Sequence, residues 1–534
     1  MANTSMTPDH ETTSDPFADP AGSDRMPLEA AAVLTVDRNA TLTIGSEALI
    51  VLDEGLRHRR DVSNVCGLLP QLSKTTRAIP FFNVLWAELE DFDITIHYAE
   101  TTSKKSCRPA YIHYTVTDKS LHGHAKTWIE ALMDRAYPNK VQRNKRIKVL
   151  VNPFGGQGMG PKLWTRQVEP IFAAARCEMN VERTAYRGHG IEIAEKLDID
   201  AFDVVACASG DGLPHEVFNG LSKQSNPRRA FKKVAVAQIP CGTGNAMSLN
   251  LNGTDSPSLA AVAIVKGVKS SLDLCAVTQG NQKYFSFLSQ AVGIIAESDL
   301  GTESLRWMGS FRFTWGILVR LLGQTAYPAT VSVLQETDDK RAIKEAFWKA
   351  TREQHHAEPY EDDDQDTQLP ALRYGTVNDP LPGEFQTQDM PNLGNFYVGN
   401  MPWMSPDAPF FAVSLPADGR MDMITISGQI SRMTALRMLT SLENGNLINF
   451  PEVTYRKVLA YRIAPRMRET SGKRRIRAKI GRWLGGAAKQ KEGLIAMDGE
   501  SVPFEPFQVE VMQRLGTVLS RRGGCYEFDG PKGH

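Results

Sequence analysis

Between residues 148 and 246 an apolar run stops at a cluster of glycines three times over, and each time a helix-like pattern begins at once. The stretches are KVLVNPFGGQGMG (148–160), CASGDG (207–212) and QIPCGTGNA (238–246). Around them, short apolar runs (IKVLV, EMNVER, DVVACA, VAVAQI) alternate with helical patterns, which specifies a parallel sheet covered on both faces. Parallel strands bring their carboxyl ends to one edge. Glycine there lets the backbone approach a ligand closely, and the free N–H groups of the following helix carry partial positive charge that suits phosphate. Any one such turn also serves as a plain strand-to-helix closure, whereas three on one edge make a nucleotide site. Two familiar versions are excluded by letter. No G-x-x-x-x-G-K-[ST] occurs, and GGQGMG departs from G-x-G-x-x-G, with no acid about 20 residues later in the matching place.

The rest of the 534 residues, too many for one ordinary core, divides where the pattern changes. An α/β nucleotide-binding domain is expected over 143–270. From 271 to 534 the texture turns to strands punctuated by turns (SLDLCAV, KYFSFLSQAV, TVSVLQ, NFYVGN, FFAVSL, MDMITISG), as in an antiparallel β-sandwich domain. Two insertions interrupt it. Residues 336–389 carry EPYEDDDQDTQLP and little periodicity, so a disordered loop is expected; 465–491 holds ten Lys or Arg against one Glu. Ahead of the nucleotide domain, strand-like runs (AAVLTV, FFNVLWAELE, DITIHYA, AYIHYTV) and a helical stretch at 124–137 indicate a small β-rich accessory region over 28–140, behind a polar tail at 1–27 expected to be disordered.

Lys plus Arg and Asp plus Glu both number 61, so overall charge gives no reason to expect a nucleic-acid partner. The seven cysteines are scattered without a CxxC pair, the pattern of reduced thiols in a cytoplasmic chain. Residues 1–25 lack the basic and apolar regions of a secretory signal, and nowhere do about 18 apolar residues run together, so no membrane span is expected.

Asp211 lies between Gly210 and Gly212 where a terminal phosphate belongs, and a carboxylate there is repelled unless it has a task. It can hold Mg²⁺ indirectly, accept the proton of an attacking hydroxyl in phosphoryl transfer, or simply cap the helix that follows. His215 and Glu216 are expected to orient Asp211 or its loop.

NPFGGQG, SGDGLPHEVFNGL, PCGTGNA, LDLC, SDLGTESLRWMGSFRFT and MDGE, in this order, resemble the lipid kinases of the diacylglycerol-kinase catalytic superfamily, most closely the sphingosine (long-chain base) kinases. The resemblance covers about residues 146–315 and 395–505. Ser209 ahead of the GDG is typical of sphingosine kinases, where ceramide and diacylglycerol kinases usually have glycine. Cys241, where alanine is common, and Pro214, tolerated in a first helical turn, are departures that leave the site intact. The resemblance implies ATP and Mg²⁺ in a cleft between the two domains, and transfer of the γ-phosphate to the primary hydroxyl of a sphingoid base. The alternatives are a ceramide or diacylglycerol kinase, or a catalytically silent lipid-binding scaffold.

Carried over by motif, Asp211 is the general base. Asn152, Gly155, Gly156, Gly158, Thr184, Ser209, Gly210, Gly212, Gly242, Thr243, Gly244 and Asn245 line the nucleotide. Arg306 and Arg312 reach the phosphates, and Asp498, Gly499 and Glu500 return to the site and support Mg²⁺, whose ligands stay unassigned. A long-chain base carries an ammonium beside its hydroxyl, and Asp299 fits the carboxylate that would meet it; Glu297 stands where the family often has another acid.

In RRIRAKIGRWLGGAA (474–488), Ile476, Ile480, Trp483, Leu484 and Ala487 form one helical stripe with Arg475, Arg477, Lys479 and Arg482 on other faces. Such a helix lies on anionic membranes, while Gly481, Gly485 and Gly486 favour a solvated loop instead. The partners expected are thus ATP, a sphingoid base and, peripherally, an anionic membrane; a homodimer is left open.

Overall fold

The computed structural model describes residues 32–53, 76–138, 140–155, 158–300, 326–353, 367–466 and 493–532. The tail at 1–27, Gly156, Arg306, Arg312 and the stripe at 474–488 therefore lie outside the described residues. By contact the chain forms two compact units, one of Met1–Ile79, Leu89–Ile94 and Tyr114–Leu132, the other of Pro80–Glu88, Thr95–His113 and Met133–His534.

The first unit contains the four-stranded sheet of Val33–Thr35, Thr41–Ile44, Ala48–Leu52 and Thr76–Pro80. Successive side chains point to opposite faces, so Leu34, Leu42, Leu49 and Val51 are buried while their neighbours along each strand are not. Strands Val84–Glu90, Asp93–Ser103 and Ser106–Thr115 form a separate three-stranded sheet, and helix His122–Ala136 follows, as its apolar periodicity predicts.

In the second unit β1 (Arg146–Val151), β2 (Glu178–Arg183), β3 (Val204–Ser209) and β4 (Ala235–Pro240) lie parallel in the order β4–β3–β1–β2. Each central strand reads as continuous apolar sequence because both faces are covered: β3 and β4 are buried at every position. Helices α1 (His189–Glu195), α2 (Gly212–Leu221), α3 (Ala246–Asn252) and α4 (Pro257–Lys266) connect or flank them. Along α2, Leu213, Val217, Phe218 and Leu221 recur at helical spacing and are buried, each contributing roughly 1.5–3 kcal/mol. Ser256 starts α4 by accepting the Leu259 N–H, and Pro257 occupies a first-turn position that needs no donor.

The antiparallel part comprises β5 (Val268–Gln279), β6 (Gln282–Ser286), β7 (Ser289–Gly293), β8 (Leu393–Gly399), β9 (Met421–Ser427), β10 (Val453–Pro465), β11 (Ile495–Met497) and β12 (Phe507–Ser520), with lesser strands. It is hydrogen-bonded to the parallel part. The last long strand, β12, runs antiparallel to β5 and β10 and then meets β4 in parallel at Val236 and Val518, so the described strands join into one mixed sheet of 15. One apolar core, with Phe218, Phe231, Val236, Leu274, Phe285, Phe287, Met512 and Val518, passes through the junction.

Two expectations need correction. Residues 336–389 are not a disordered loop throughout. Lys340–Glu353 is a helix whose Ile343 and Phe347, one turn apart, are buried, and Gln386–Met390 pairs as a strand. Between them, Glu510 accepts the N–H groups of Arg373 and Tyr374 and pins the chain; residues 354–366, with most of the acidic run, lie outside the described residues. The polar sequence hid a two-residue apolar stripe. Likewise FFAVSL (410–415) is a buried turn rather than a strand: its apolar residues do not alternate, and Phe411, Ala412 and Val413 are all buried.

Candidate active site

The three glycine turns meet. Asn152, at the end of β1, donates its N–H to Ala208 O of β3 (3.1 Å), while its side-chain Oδ1 accepts the N–H groups of Phe154 and Gly155 and folds the first turn. The second and third turns touch backbone to backbone: a Cβ on Gly242 would lie 2.4 Å from the Gly210 Cα. No larger residue fits there. Asn245, with φ +55, closes the third turn by accepting the Gly242 N–H and donating to its carbonyl. It shapes the loop from behind and does not line the cleft beyond it.

That cleft, about 580 Å³, is bounded by Asn152, Gly155, Thr184, Ser209, Gly210, Asp211, Gly212, Gly242, Thr243 and Gly244 on one side and by Asp498, Gly499 and Glu500 on the other. Thirteen of the residues named from motif, Asp211 among them, thus line one cleft although hundreds of positions separate them in sequence. Gly158, at φ +75, belongs to the first turn without lining the cleft. Asp299 falls in helix α5 (Ile294–Leu300), whose Ile295 and Ser298 line the cleft; its own side chain is outside the described residues.

Asp211 does cap a helix, but not the one it begins. Its carboxylate makes no capping bond in α2; Oδ2 accepts Ala246 N–H (3.0 Å) and Oδ1 accepts Met247 N–H (2.9 Å), both from the first turn of α3. Gln238 Nε2 donates to Oδ1 as well (3.2 Å). Burial pushes this carboxyl above its ordinary value, and the three donors pull it only part of the way back. The result is a carboxylate more basic than a solvated one, held against a positive helix end.

His215 donates its backbone N–H to the Asp211 carbonyl (3.3 Å), but the side chains of His215 and Glu216 bond elsewhere. His215 Nδ1–H donates to Asp498 Oδ2 (2.7 Å), and Glu216 accepts the N–H groups of Gly188 and Gly190, steadying the loop ahead of α1. Asn219, one turn beyond His215 on the same face of α2, pairs with both the N–H and the carbonyl of Phe285. The HEVFN stretch thus fastens α2 to the antiparallel strands.

Asp498 is the best-connected acid of the site. Oδ1 accepts from Ser286 Oγ and the N–H groups of Leu288 and Ser289, Oδ2 from His215 and Phe287 N–H. Burial would raise its carboxyl; His215 and the other donors hold it below the ordinary value. Such an acid has no oxygen to spare for Mg²⁺, which corrects part of the expectation. Glu500, partly exposed and paired with Arg187 (2.5 Å), does. No group of three His, Cys, Asp or Glu able to cage a metal exists among the described residues, and Mg²⁺ on a nucleotide needs only one or two carboxylates plus phosphates.

The other end of the cleft is apolar: Ile295, Tyr397, Met404, Phe410, Leu439 and Leu442. Ile295, Phe410, Leu439 and Leu442 also wall a second cavity of about 60 Å³, closed by Ile294, Ile426, Met438 and Leu447. Helix α6 (Arg432–Ser441) presents Met438 and Leu439 to it. None of these, nor Tyr186 and Arg187, was anticipated. Their only signal was apolar spacing along α6, which reads equally as core.

Glycine turns at strand ends, an acid in the wall and an apolar annex are the parts a lipid kinase requires. Residues 146–277 match the diacylglycerol kinase catalytic domain, and residues 32–138 match a domain of unknown function. Sphingoid long chain base kinase 4 of Schizosaccharomyces pombe is 31% identical over 466 residues, covering 87% of this chain and 93% of the relative. Sphingoid long chain base kinase 5 of Saccharomyces cerevisiae is 33% identical over 473 residues, 78% of this chain; the match spans 65% of that relative's length. Sphingosine kinase 1 of Homo sapiens is 26% identical over 396 residues, 72% of this chain and 92% of its own. The chain belongs to the sphingoid long-chain base kinase family.

Proposed function

We propose that the 211 cleft transfers the γ-phosphoryl group of ATP to the primary hydroxyl of a sphingoid base, giving the sphingoid 1-phosphate and ADP. The observation that carries this is the cleft's polarity: glycine turns at one end, an apolar chamber at the other, and Asp211 in its wall. The nucleotide phosphates lie against the glycine N–H groups, and the alkyl chain runs along Tyr397, Phe410, Leu439 and Leu442. As the hydroxyl oxygen bonds to the γ-phosphorus and the bond to the β–γ bridging oxygen breaks, Asp211 takes the hydroxyl proton. Arg306 and Arg312 neutralise the transferred group's charge. Mg²⁺, when bound, screens the phosphates; Glu500 is the carboxylate that fits it.

The antiparallel strands act as a lipid-binding β-sandwich domain in this scheme. Peripheral contact with anionic membrane, at a cytoplasmic location, rests on the basic stretch 465–491. Among the described residues no helix is long and apolar enough to cross a membrane.

Assaying sphingosine, phytosphingosine, ceramide and diacylglycerol side by side tests the substrate class: phosphorylation of ceramide but not of free bases would sink it. For the ammonium, Asp299→Asn should raise the KM for sphingosine at least about tenfold while that for ATP holds, since only the lipid loses a charged partner. Equal changes in both would mean a disturbed helix α5, and would leave Asp407 or Glu443, which also line the cleft, as the recognising acid.

A further inference from the structure

Gln238, on β4 just ahead of the third glycine turn, is 1% exposed, and an amide so buried is costly unless both its ends are paired. Both are. Oε1 accepts the Ser248 N–H at 2.8 Å, and Nε2 donates to Asp211 Oδ1 at 3.2 Å. The backbone N–H of Ser248 can be met only by an acceptor, so the amide has one orientation, and its NH₂ must face the carboxylate. The rest of α3 holds the arrangement still: Asn252 Nδ2 donates to the Gln238 carbonyl and to Ser248 Oγ, which itself donates to Thr254 O.

The two oxygens of Asp211 are thereby made unequal. Oδ1 receives two donors, Met247 N–H and Gln238 Nε2; Oδ2 receives one, Ala246 N–H. Oδ1 is thus the more heavily engaged oxygen, and Oδ2 keeps the more available lone pair. We propose that Gln238 is a positioning residue that, by adding a second donor to Oδ1 of Asp211, favours Oδ2 as the acceptor of the substrate hydroxyl's proton. This rests on Asp211 being the general base. Without Gln238 the carboxylate is free to turn about its last bond, and either oxygen, at the wrong angle, competes for the hydroxyl.

The test compares kcat and KM for Gln238→Glu, Gln238→Met, Asp211→Asn and the two double variants, with ATP and sphingosine. Gln238→Met removes the donor to Asp211 without placing a second acid there; Gln238→Glu keeps the size and the acceptor for Ser248 but sets a carboxyl beside Asp211, and two such acids share one proton, which lowers the fraction of free base; each stands in if the other fails to fold. Each should lower kcat by about tenfold or more, the scale of one hydrogen bond to a charged group, with both KM values held within about twofold. On the Asp211→Asn background neither should lower kcat further, because there is no base left to orient. A purely structural contribution would multiply in full on that background, and that result, or unchanged kcat in a folded Gln238 variant, overturns the proposal. If Asp211→Asn itself stays active, the base assignment falls and the proposal with it; if Asp211→Asn is dead and the Gln238 variants are not, only the proposal falls.

Discussion

Asp211→Asn should yield a folded protein that binds ATP normally and turns over at least about a hundredfold more slowly, the usual scale for loss of an acid–base group. Asparagine has nearly the same shape, and its Oδ1 still accepts from one N–H of the α3 turn. Its amide end now faces a donor, which costs some stability without removing the glycine turns that meet the phosphates. Isothermal titration with a non-hydrolysable ATP analogue and a steady-state assay separate the two effects. Because burial raises the Asp211 carboxyl, the acid limb of kcat/KM in the parent protein should sit above the ordinary aspartate value of about 3.9. A variant with activity within a few-fold of the parent would leave the capping of α3 as the residue's whole purpose.

Asp498→Asn should be the most destabilising single change at the cleft, by about 3–5 kcal/mol, since removing one partner of a buried pair leaves the other uncompensated. Five donors converge on that carboxylate, and an amide nitrogen cannot accept from the two that meet its position. Urea unfolding followed across pH gives the check. Burial would lower the His215 pKa, but the adjacent Asp498 carboxylate outweighs it and holds the imidazole above its ordinary value. A raised histidine stabilises fully below its unfolded pKa of about 6.5 and loses that contribution as pH climbs through the folded value. The depressed Asp498 stabilises above its unfolded value of about 3.9 and loses that as pH falls through the folded one. The parent should therefore be favoured by this pair between those limits, and the variant should show a flatter profile. Equal pH profiles for the two proteins would show that the pair carries no such linkage.

What the sequence made legible was local. Each glycine turn with its strand and helix is written in consecutive letters, so the parallel sheet, its ligand edge and Asp211 could be read directly. Asp211's donors could not, because two come from a helix 35 and 36 residues onward and the third from Gln238 on β4, and their meeting is settled only by packing. The His215–Asp498 bond spans 283 positions, and no periodicity reports such a pairing. The apolar end of the cleft is built from single residues on several turns and helices, each indistinguishable from core until they face one another. Residues 340–353 failed for a different reason: two buried side chains suffice to dock a helix whose remaining faces are charged.

The junction at Val236 and Val518 has a consequence for where damage to this chain is felt. Every described residue of the cleft wall lies at or before Glu500, so a stop codon after residue 506 would delete none of them. It would delete β12, and with it the partner of β5 along its whole length, the bond to β4, and Met512, Leu515 and Val518 from the core beneath α2. Three strands, β4, β5 and β10, would lose a hydrogen-bonding partner, an invitation to pair with other chains. The same holds for a fragment cut to the 146–277 segment that the catalytic-domain family describes. The fold of that segment is finished by β12, which lies far beyond it along the chain.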